Sequence, residues 1–596
     1  MKKFSIYIIC LSATLAGWTS CSDFLDRIPE TSITPEGFFR STNDLELYSN
    51  TFYDLSSGFG RRGIYNDVDA DNYFYSVPST YVKTLLTGTT KPENCGYWSD
   101  WGKLRMVNYM LDHAVTVTDG TDEDKNHYLG VARFFRAWFY VDKVLMYSDV
   151  PWYGKALESD DPDIFKARDP RTLVVDSILN DMQFAVDNLK ATMGTKAAVH
   201  KYAALAFMAR FCVYEGTWRK YHSELGLENS ANTFFEKAVW ACEQLINSQQ
   251  FAIEGNSPEA YRALFTSPGD VLAQNKDCIM QFYPSEAANI GQNVYIYLEN
   301  PYVGVSQSLA ETYLMLDGTP FTSTPGYNEK TYLEIFKDRD PRMAETIAPP
   351  GWILPFENQA YYRTPSTGGY GQLKNYPIDL DLRKGWDMCY NAQSWFRYAE
   401  VLLNYAEAKA ELGTLTQNDL DISVNKLRER VGMPGRLDLG KANSNPDPYL
   451  ADAYDKVSGA NKGVILEIRR ERRVEMAFEE LRLNDLKRWG AGKLISQHQK
   501  GMYIPALGVM DVTADGVPDI AIIGPNDPEP AGVSIILRVG GNEAIALDGP
   551  GGLSGHITYT ADKINKLPFE EPKWYYYPIP LSETVLNPQL KQIQGW

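Results

Sequence analysis

Three stretches of the chain repeat apolar residues at helical spacing. Val131, Phe134, Phe135, Trp138, Val141 and Leu145 follow one another at intervals that keep them on one helix face. Tyr398, Val401, Leu402, Tyr405, Ala408 and Leu412 repeat those intervals, and Leu205, Met208, Ala209 and Cys212 form a shorter copy. Stripes of this kind need partners, which "RTLVVDSILNDMQFAVDNL" and "NTFFEKAVWACEQLINS" can supply. Near the end, "DVTADGVPDIAII" and "AGVSIILRV" change the pattern to β-branched runs between Gly-rich turns, which predicts a small β insertion over residues 500–560.

Similar helix pairs recurring along a chain predict a mainly α fold on a scaffold of the tetratricopeptide kind. Between the helical blocks lie three aromatic, turn-rich tracts, residues 56–101, 282–308 and 345–394. They are long for connections, and long structured loops are usually functional.

One helical stretch, "EIRRERRVEMAFEELRLNDLKRW" from Glu467 to Trp489, looks basic enough for nucleic acid. Its seven basic residues are matched by six acidic ones. Glu467, Glu471, Glu475 and Glu479 fall every four residues on one face, with Arg470, Arg472 and Arg482 placed to interleave, while Val474, Phe478, Leu481 and Trp489 line another. The pattern predicts a structural helix held in register by Arg–Glu pairs. A formal charge of −18 over 596 residues argues in the same direction, since a surface of that sign repels phosphate and disfavours polyanionic ligands.

The N-terminus has the three-part layout of a secretory signal: Lys2 and Lys3, the apolar run "FSIYIICLSATLAG", then "WTSC". Residues 1–20 are read as a signal peptide whose removal takes the charge from −18 to −20 by losing two lysines. Cys21 is the expected lipidation site, so the mature chain, 21–596, would be anchored to a membrane rather than spanning it. Cys95, Cys212, Cys242, Cys278 and Cys389 are odd in number, widely spaced and lack any CxxC, which predicts buried free thiols.

Enzyme signatures are missing from the sequence. The six histidines form no HExxH pair, and there is neither a GxSxG nor a GxxxxGK[ST] motif, so no metal, cofactor or catalytic residue is expected. A glycosidase needs only two carboxylates close in space, about which spacing is silent. Asp511, Asp515 and Asp519 offer oxygens to calcium but lack the rhythm of an EF-hand loop, and a turn beside a strand fits them equally. The aromatics remain: a ring with apolar area and a polar tip suits the CH-rich faces and hydroxyl edges of sugars. The candidate ligand-binding residues are Asn72, Tyr73 and Tyr75 in the first tract, Tyr295 and Tyr297 in the second, and Trp352, Tyr370 and Trp386 in the third.

Several stretches together resemble the SusD/RagB family of outer-membrane lipoproteins in Bacteroidota-type nutrient uptake. They are "CSDFLDRIPETSITPEGFFRSTNDLELYSNTFYD", "WSDWGKLRMVNYMLD", "ARFFRAWFYVDKVLMYSDVPW", "ARDPRTLVVDSILNDM", "FKDRDPRMAETI", "RYAEVLLNYAEAKAELG", the Glu467–Trp489 stretch and "YYPIPLSETVLNPQLKQIQGW", in the family's order. Ser148 stands where the family usually has Gly, and QIQGW where it usually has QNPGW. Trp98 and Trp101 align with helix-packing positions. The resemblance implies a SusD-like domain over the mature chain, with an N-terminal part about 21–220 and a RagB/SusD part about 280–596. It further implies long ligand-binding loops, a lipid anchor at Cys21 and a SusC-like TonB-dependent transporter as partner. A protein of this kind would bind oligosaccharide, or in some members peptide, at the outer surface without cleaving it.

Overall fold

The computed structural model describes residues 38–54, 65–75, 81–294, 298, 303–355 and 360–596. Cys21, Tyr295 and Tyr297 lie outside these residues, as does the side chain of Tyr75. The scaffold is helical: α1 Thr42–Asn50, α2 Trp101–His113, α3 Asp122–Tyr147, α4 Arg171–Asn188, α5 Lys201–Tyr221, α6 Ala231–Asn247, α7 Tyr398–Leu412, α8 Val424–Arg430, α9 Lys462–Glu475 and α10 Arg482–Arg488. Neighbours pack in sequence, α2 on α3, α3 on α4, α4 on α5, α5 on α6, α6 on α7 and α7 on α9. The stripe residues of α3, α5 and α7 enter one shared core, only Leu145 and Leu412 staying half-buried at the ends. The two partner segments named from sequence are α4 and α6, so the predicted pairs are α3 with α4 and α5 with α6. Gly216 lets the second pair close, because a Cβ there would sit 2.7 Å from the Phe235 ring.

Helix α3 starts on Thr121, whose hydroxyl accepts the Asp124 N–H, with Asp122, Glu123 and Asp124 in the first turn complementing the helix dipole. It ends on Ser148, which holds φ 63° and ψ −83°. That backbone suits glycine, and a serine there carries strain.

Two short antiparallel ladders draw the aromatic tracts together. Strand β1 (Tyr73–Tyr75) pairs with β3 (Val303–Val305), joining the first tract to the second, and β2 (Cys278–Phe282) pairs with β4 (Gln393–Arg397), joining the second to the third. The β insertion is present as two three-stranded sheets. One has the order β5 (Tyr503–Ile504), β10 (Gly555–Tyr559), β9 (Ile545–Leu547); the other is β6 (Gly508–Met510), β7 (Ile520–Ile523), β8 (Ile535–Arg538), with β7 and β8 parallel. It packs behind the tracts in a second core, where Phe74 stacks on Tyr559 with ring centroids 4.4 Å apart. No described helix is long and apolar enough to cross a membrane.

The Glu467–Trp489 stretch is not one helix. After Glu475 the chain turns, with Phe478 (φ 62°) and Glu480 (φ 67°) left-handed, and α10 begins at Arg482. The reason is polar. Three side chains take the Glu475 carbonyl oxygen: Arg397 Nη2 at 2.8 Å, Lys374 Nζ at 3.1 Å and the Tyr261 hydroxyl at 3.1 Å. The carboxylates around the break are equally occupied. Glu475 accepts from Arg342 (3.0 Å), Arg397 (2.7 Å) and Arg430 (2.8 Å), and Glu479 from Arg397 and Lys374, each at 2.7 Å. Glu471 pairs with Arg342 at 2.6 Å and Arg428 at 2.9 Å. The expected register pairs within one helix thus give way to long-range pairs in the interior; Arg470 with Glu467 is the exception, at 3.1 Å.

Burial alone would raise Glu475 and Glu479, but the cations outweigh it: Arg430, Arg397 and Arg342 hold Glu475 well below the carboxylate range, and Arg397 with Lys374 brings Glu479 down to about 2. Removing one partner leaves a buried charge unpaired, so Arg397→Met or Glu475→Gln should cost about 3–5 kcal/mol in denaturant unfolding. A carboxylate depressed in the folded chain contributes stability that is complete above its unfolded value of about 4.3 and lost as pH falls through its folded value. The melting temperature should therefore drop as pH falls from about 4.3 toward 2, and less steeply in Glu479→Gln. Ser148→Gly should raise stability by about 1 kcal/mol, read as a higher melting temperature with the fold unchanged by circular dichroism.

Candidate functional site

The paired strands β2 and β4 deliver two loops to one place. The loop after β2 closes through reciprocal backbone bonds between Ser285 and Ile290 (2.8 and 2.9 Å), and the loop before β4 folds back from Lys384 to Met388 (2.9 Å). Gln292 and Cys389 exchange backbone bonds at 2.9 and 3.2 Å, tying the loops side by side. Beneath them Asn391 donates to the Phe265 carbonyl at 2.6 Å and accepts from Gln292 and the Cys389 thiol. At the tip, the Asp387 N–H donates to Asn293 Oδ1 at 2.7 Å while Asp387 sits at φ 56°. Gly291 permits the approach, since a Cβ there would lie 2.3 Å from the Asp387 carbonyl oxygen.

This frame presents Trp386, 67% exposed, and Tyr283, Ile290, Ile378 and Met388 are also exposed on the segments that form the two loops. A large ring left in water on a doubly tethered turn is a platform for an apolar face. In the same tract Trp352 is half-buried, edge-on to Tyr361 (5.7 Å) and Tyr376 (6.2 Å), with the Arg262 guanidinium 5.7 Å from its ring centre. Burial lowers the Arg262 pKa, Glu345 at 4.0 Å countering, and it raises that of Glu345. Asp379 and Asp381 stand exposed on the same loop as Trp386. Flat rings beside carboxylate acceptors can hold a ligand that has CH faces and hydroxyl donors.

The other candidates fare differently. Asn72 is fully buried: its amide donates to Asp67 Oδ1 (2.9 Å) and accepts from Arg473 Nε (3.0 Å). Tyr73 is buried against Phe478, its hydroxyl on Gln372, and Tyr370 is buried with its hydroxyl on Gln307 Oε1 at 2.8 Å. These three are structural: Tyr73 and Tyr370 are packed in the second core, and Asn72 is spent between Asp67 and Arg473. Of the sequence candidates whose side chains are described, Trp386 is exposed and Trp352 half-buried. Tyr283, Ile378 and Met388 are exposed in the same tracts without any sequence motif to mark them, and Tyr376 is buried edge-on to Trp352; their place in tracts two and three was the available signal.

Asp511 and Asp519 each accept backbone N–H groups of their own loop, from Thr513 and Ala514 and from Val512 and Thr513, and Asp515 accepts that of Val517. They build a turn beside β7, and among the described residues no group of His, Cys, Asp and Glu could hold a metal ion. Cys212, Cys242, Cys278 and Cys389 are buried free thiols, whereas Cys95 is only half-buried. A cavity of about 620 Å³ lies elsewhere, between α2, the 151–165 loop and residues 583–590, with Trp101 and Tyr153 in its wall. Its floor residue Asn108 is spent inside the fold, donating to the Tyr153 and Lys155 carbonyls and accepting from Arg136. Trp98 is buried, in keeping with a packing role.

Comparison with known proteins follows the same architecture. The profile described as "SusD family" matches residues 297–596, and that described as "Starch-binding associating with outer membrane" matches residues 23–213. SusD-like protein P38 of Formosa agariphila is 27% identical over 515 residues, covering 82% of this chain and 92% of that protein. Among solved structures, a SusD-like carbohydrate binding protein from Bacteroides fragilis superposes with a TM-score of 0.67 at 21% identity, covering 93% of this chain and all of the other. A laminarin binding SusD-like protein gives 0.56 at 16%, covering 94% and 100%. At these identities the structures speak to the fold, while the profile, matched over half of the sequence, speaks to kinship: the chain belongs to the SusD family.

Proposed function

We propose that this protein is a non-catalytic glycan-binding lipoprotein of the outer membrane that captures oligosaccharide at the cell surface and delivers it to a SusC-like TonB-dependent transporter. The observation that carries the reading is Trp386, an exposed indole fixed on two cross-braced loops, with the half-buried Trp352 and exposed carboxylates in the same tract. Family membership and the carbohydrate-binding names of structural neighbours support the ligand class. Affinity comes from stacking and hydroxyl hydrogen bonds on a surface whose backbone is already braced, so little ordering entropy opposes binding. Tyr75, Tyr295 and Tyr297 are carried by the same proposal as ligand-binding residues on residue type alone. Transport energy is supplied by the partner.

Trp386→Ala should weaken binding to a cognate oligosaccharide by about tenfold or more, the ~1.4 kcal/mol or larger loss of one aromatic anchor, in isothermal titration calorimetry. Release of reducing sugar by the purified protein would instead identify a surface glycosidase. Peptide is the second reading, favoured by the exposed Ile290, Ile378 and Met388, and heat with peptides but with no glycan would select it. The anchor is tested separately: fatty-acid labelling in cells should tag the wild type and be lost in Cys21→Ser, with the variant released from the membrane fraction.

A further inference from the structure

We infer that the Trp386 surface selects uncharged oligosaccharides and rejects polyanionic ones, a conclusion that rests on the glycan-binding reading above. The basis is where the charges around the indole point. The cations of the described part of the third tract are turned inward or already matched. Arg363 is buried, donating to the carbonyls of Leu298 and Val303 at 2.5 Å each. Lys374 is buried on Glu479 at 2.7 Å, and the Arg383 guanidinium lies 5.7 Å from the Tyr376 ring centre. Lys384, exposed on the Trp386 turn itself, has its ammonium 4.0 Å from Asp381.

The acids point the other way. Asp379 and Asp381 are exposed on the third tract and Glu286 on the loop beside it. Asp381, 95% exposed at its side chain, offsets Lys384, so the excess of negative charge is carried by Asp379 and Glu286, with Asp387 directly following the indole. The second tract contains no basic residue, and the three tracts together hold twelve acidic residues against eight basic ones. A ligand stacked on Trp386 therefore meets at least the adjacent Asp387 carboxylate within about a Debye length, ~8–10 Å at ordinary salt. A carboxylate is an acceptor for sugar hydroxyls and a like charge to sulfate or uronate. The same groups thus favour a neutral chain and repel an anionic one, and repulsion of this kind is a common source of specificity.

The test uses the mature protein in affinity electrophoresis and calorimetry with laminarin and galactomannan as neutral probes, and alginate and polygalacturonate as anionic ones, at 50 and 500 mM NaCl. A neutral probe should bind with affinity changing less than twofold between the salts, and the anionic probes at least tenfold more weakly at 50 mM. Asp381→Lys, at a 95% exposed position, should narrow that gap by about fivefold at 50 mM and by less than twofold at 500 mM, where salt screens the added charge. Tightest binding to an anionic probe, weakening with salt, would overturn the charge selection and leave glycan binding intact. Heat with peptides and none with any of the four polysaccharides would overturn both.

Discussion

The structure is organised around an ionic interior at the break between α9 and α10. A helix that continued through Glu475 would need the carbonyl oxygen of that residue for its own ladder; here that oxygen is shared among Arg397, Lys374 and Tyr261, so the helix stops. Each donor comes from a different part of the chain: Arg397 ends β4, Lys374 belongs to the third tract, and Tyr261 lies before β2. Arg342 and Arg430 reach the same carboxylate from two further segments. Buried ion pairs often add little net stability, because desolvation consumes much of the Coulombic gain. Their geometric demand is severe, since a charge left unmatched in the interior is costly. The cluster therefore specifies which segments meet, whatever its net energy.

The same cluster fixes the side that carries the aromatic tracts. Arg482 and Arg473 hold Asp71 at 2.7 and 3.2 Å, and the Glu480 N–H donates to Asp67, so the start of the first tract is pinned to the helix break. Asp277, at the start of β2, takes Arg397 and Arg430 at 3.5 and 3.4 Å and caps α7 through the Ala399 N–H. From that base β2 and β4 project the two loops that display Trp386. Stacked helices supply the frame, and buried charge sets how the irregular segments sit upon it.

How much was legible in sequence depended on whether a residue's role was local. Stripes at helical spacing marked α3, α5 and α7, because a buried helix face must repeat its apolar residues whatever it packs against. The β insertion was equally visible, through β-branched runs that suit a pleated sheet. The Glu467–Trp489 stretch shows the limit. Its four-residue glutamate rhythm is helical, yet the partners that end the helix, Arg397 and Lys374, lie roughly 80 to 110 residues earlier in the chain. The site split in the same way: aromatic, turn-rich tracts were recognisable, but nothing in "NYFY" tells that Tyr73 faces a core while Trp386, in "KGWDM", faces water.

The sequence by itself determined the helix pairs and the kind of protein and marked the aromatic tracts, since these follow from periodicity, motif order and residue type along the chain. Tertiary structure alone decided which rings reach solvent, where α9 ends and which charges are paired. Those outcomes depend on the strand ladders and ion pairs that bring distant residues within about 3 Å of one another, and neither spacing nor composition encodes a contact across that separation.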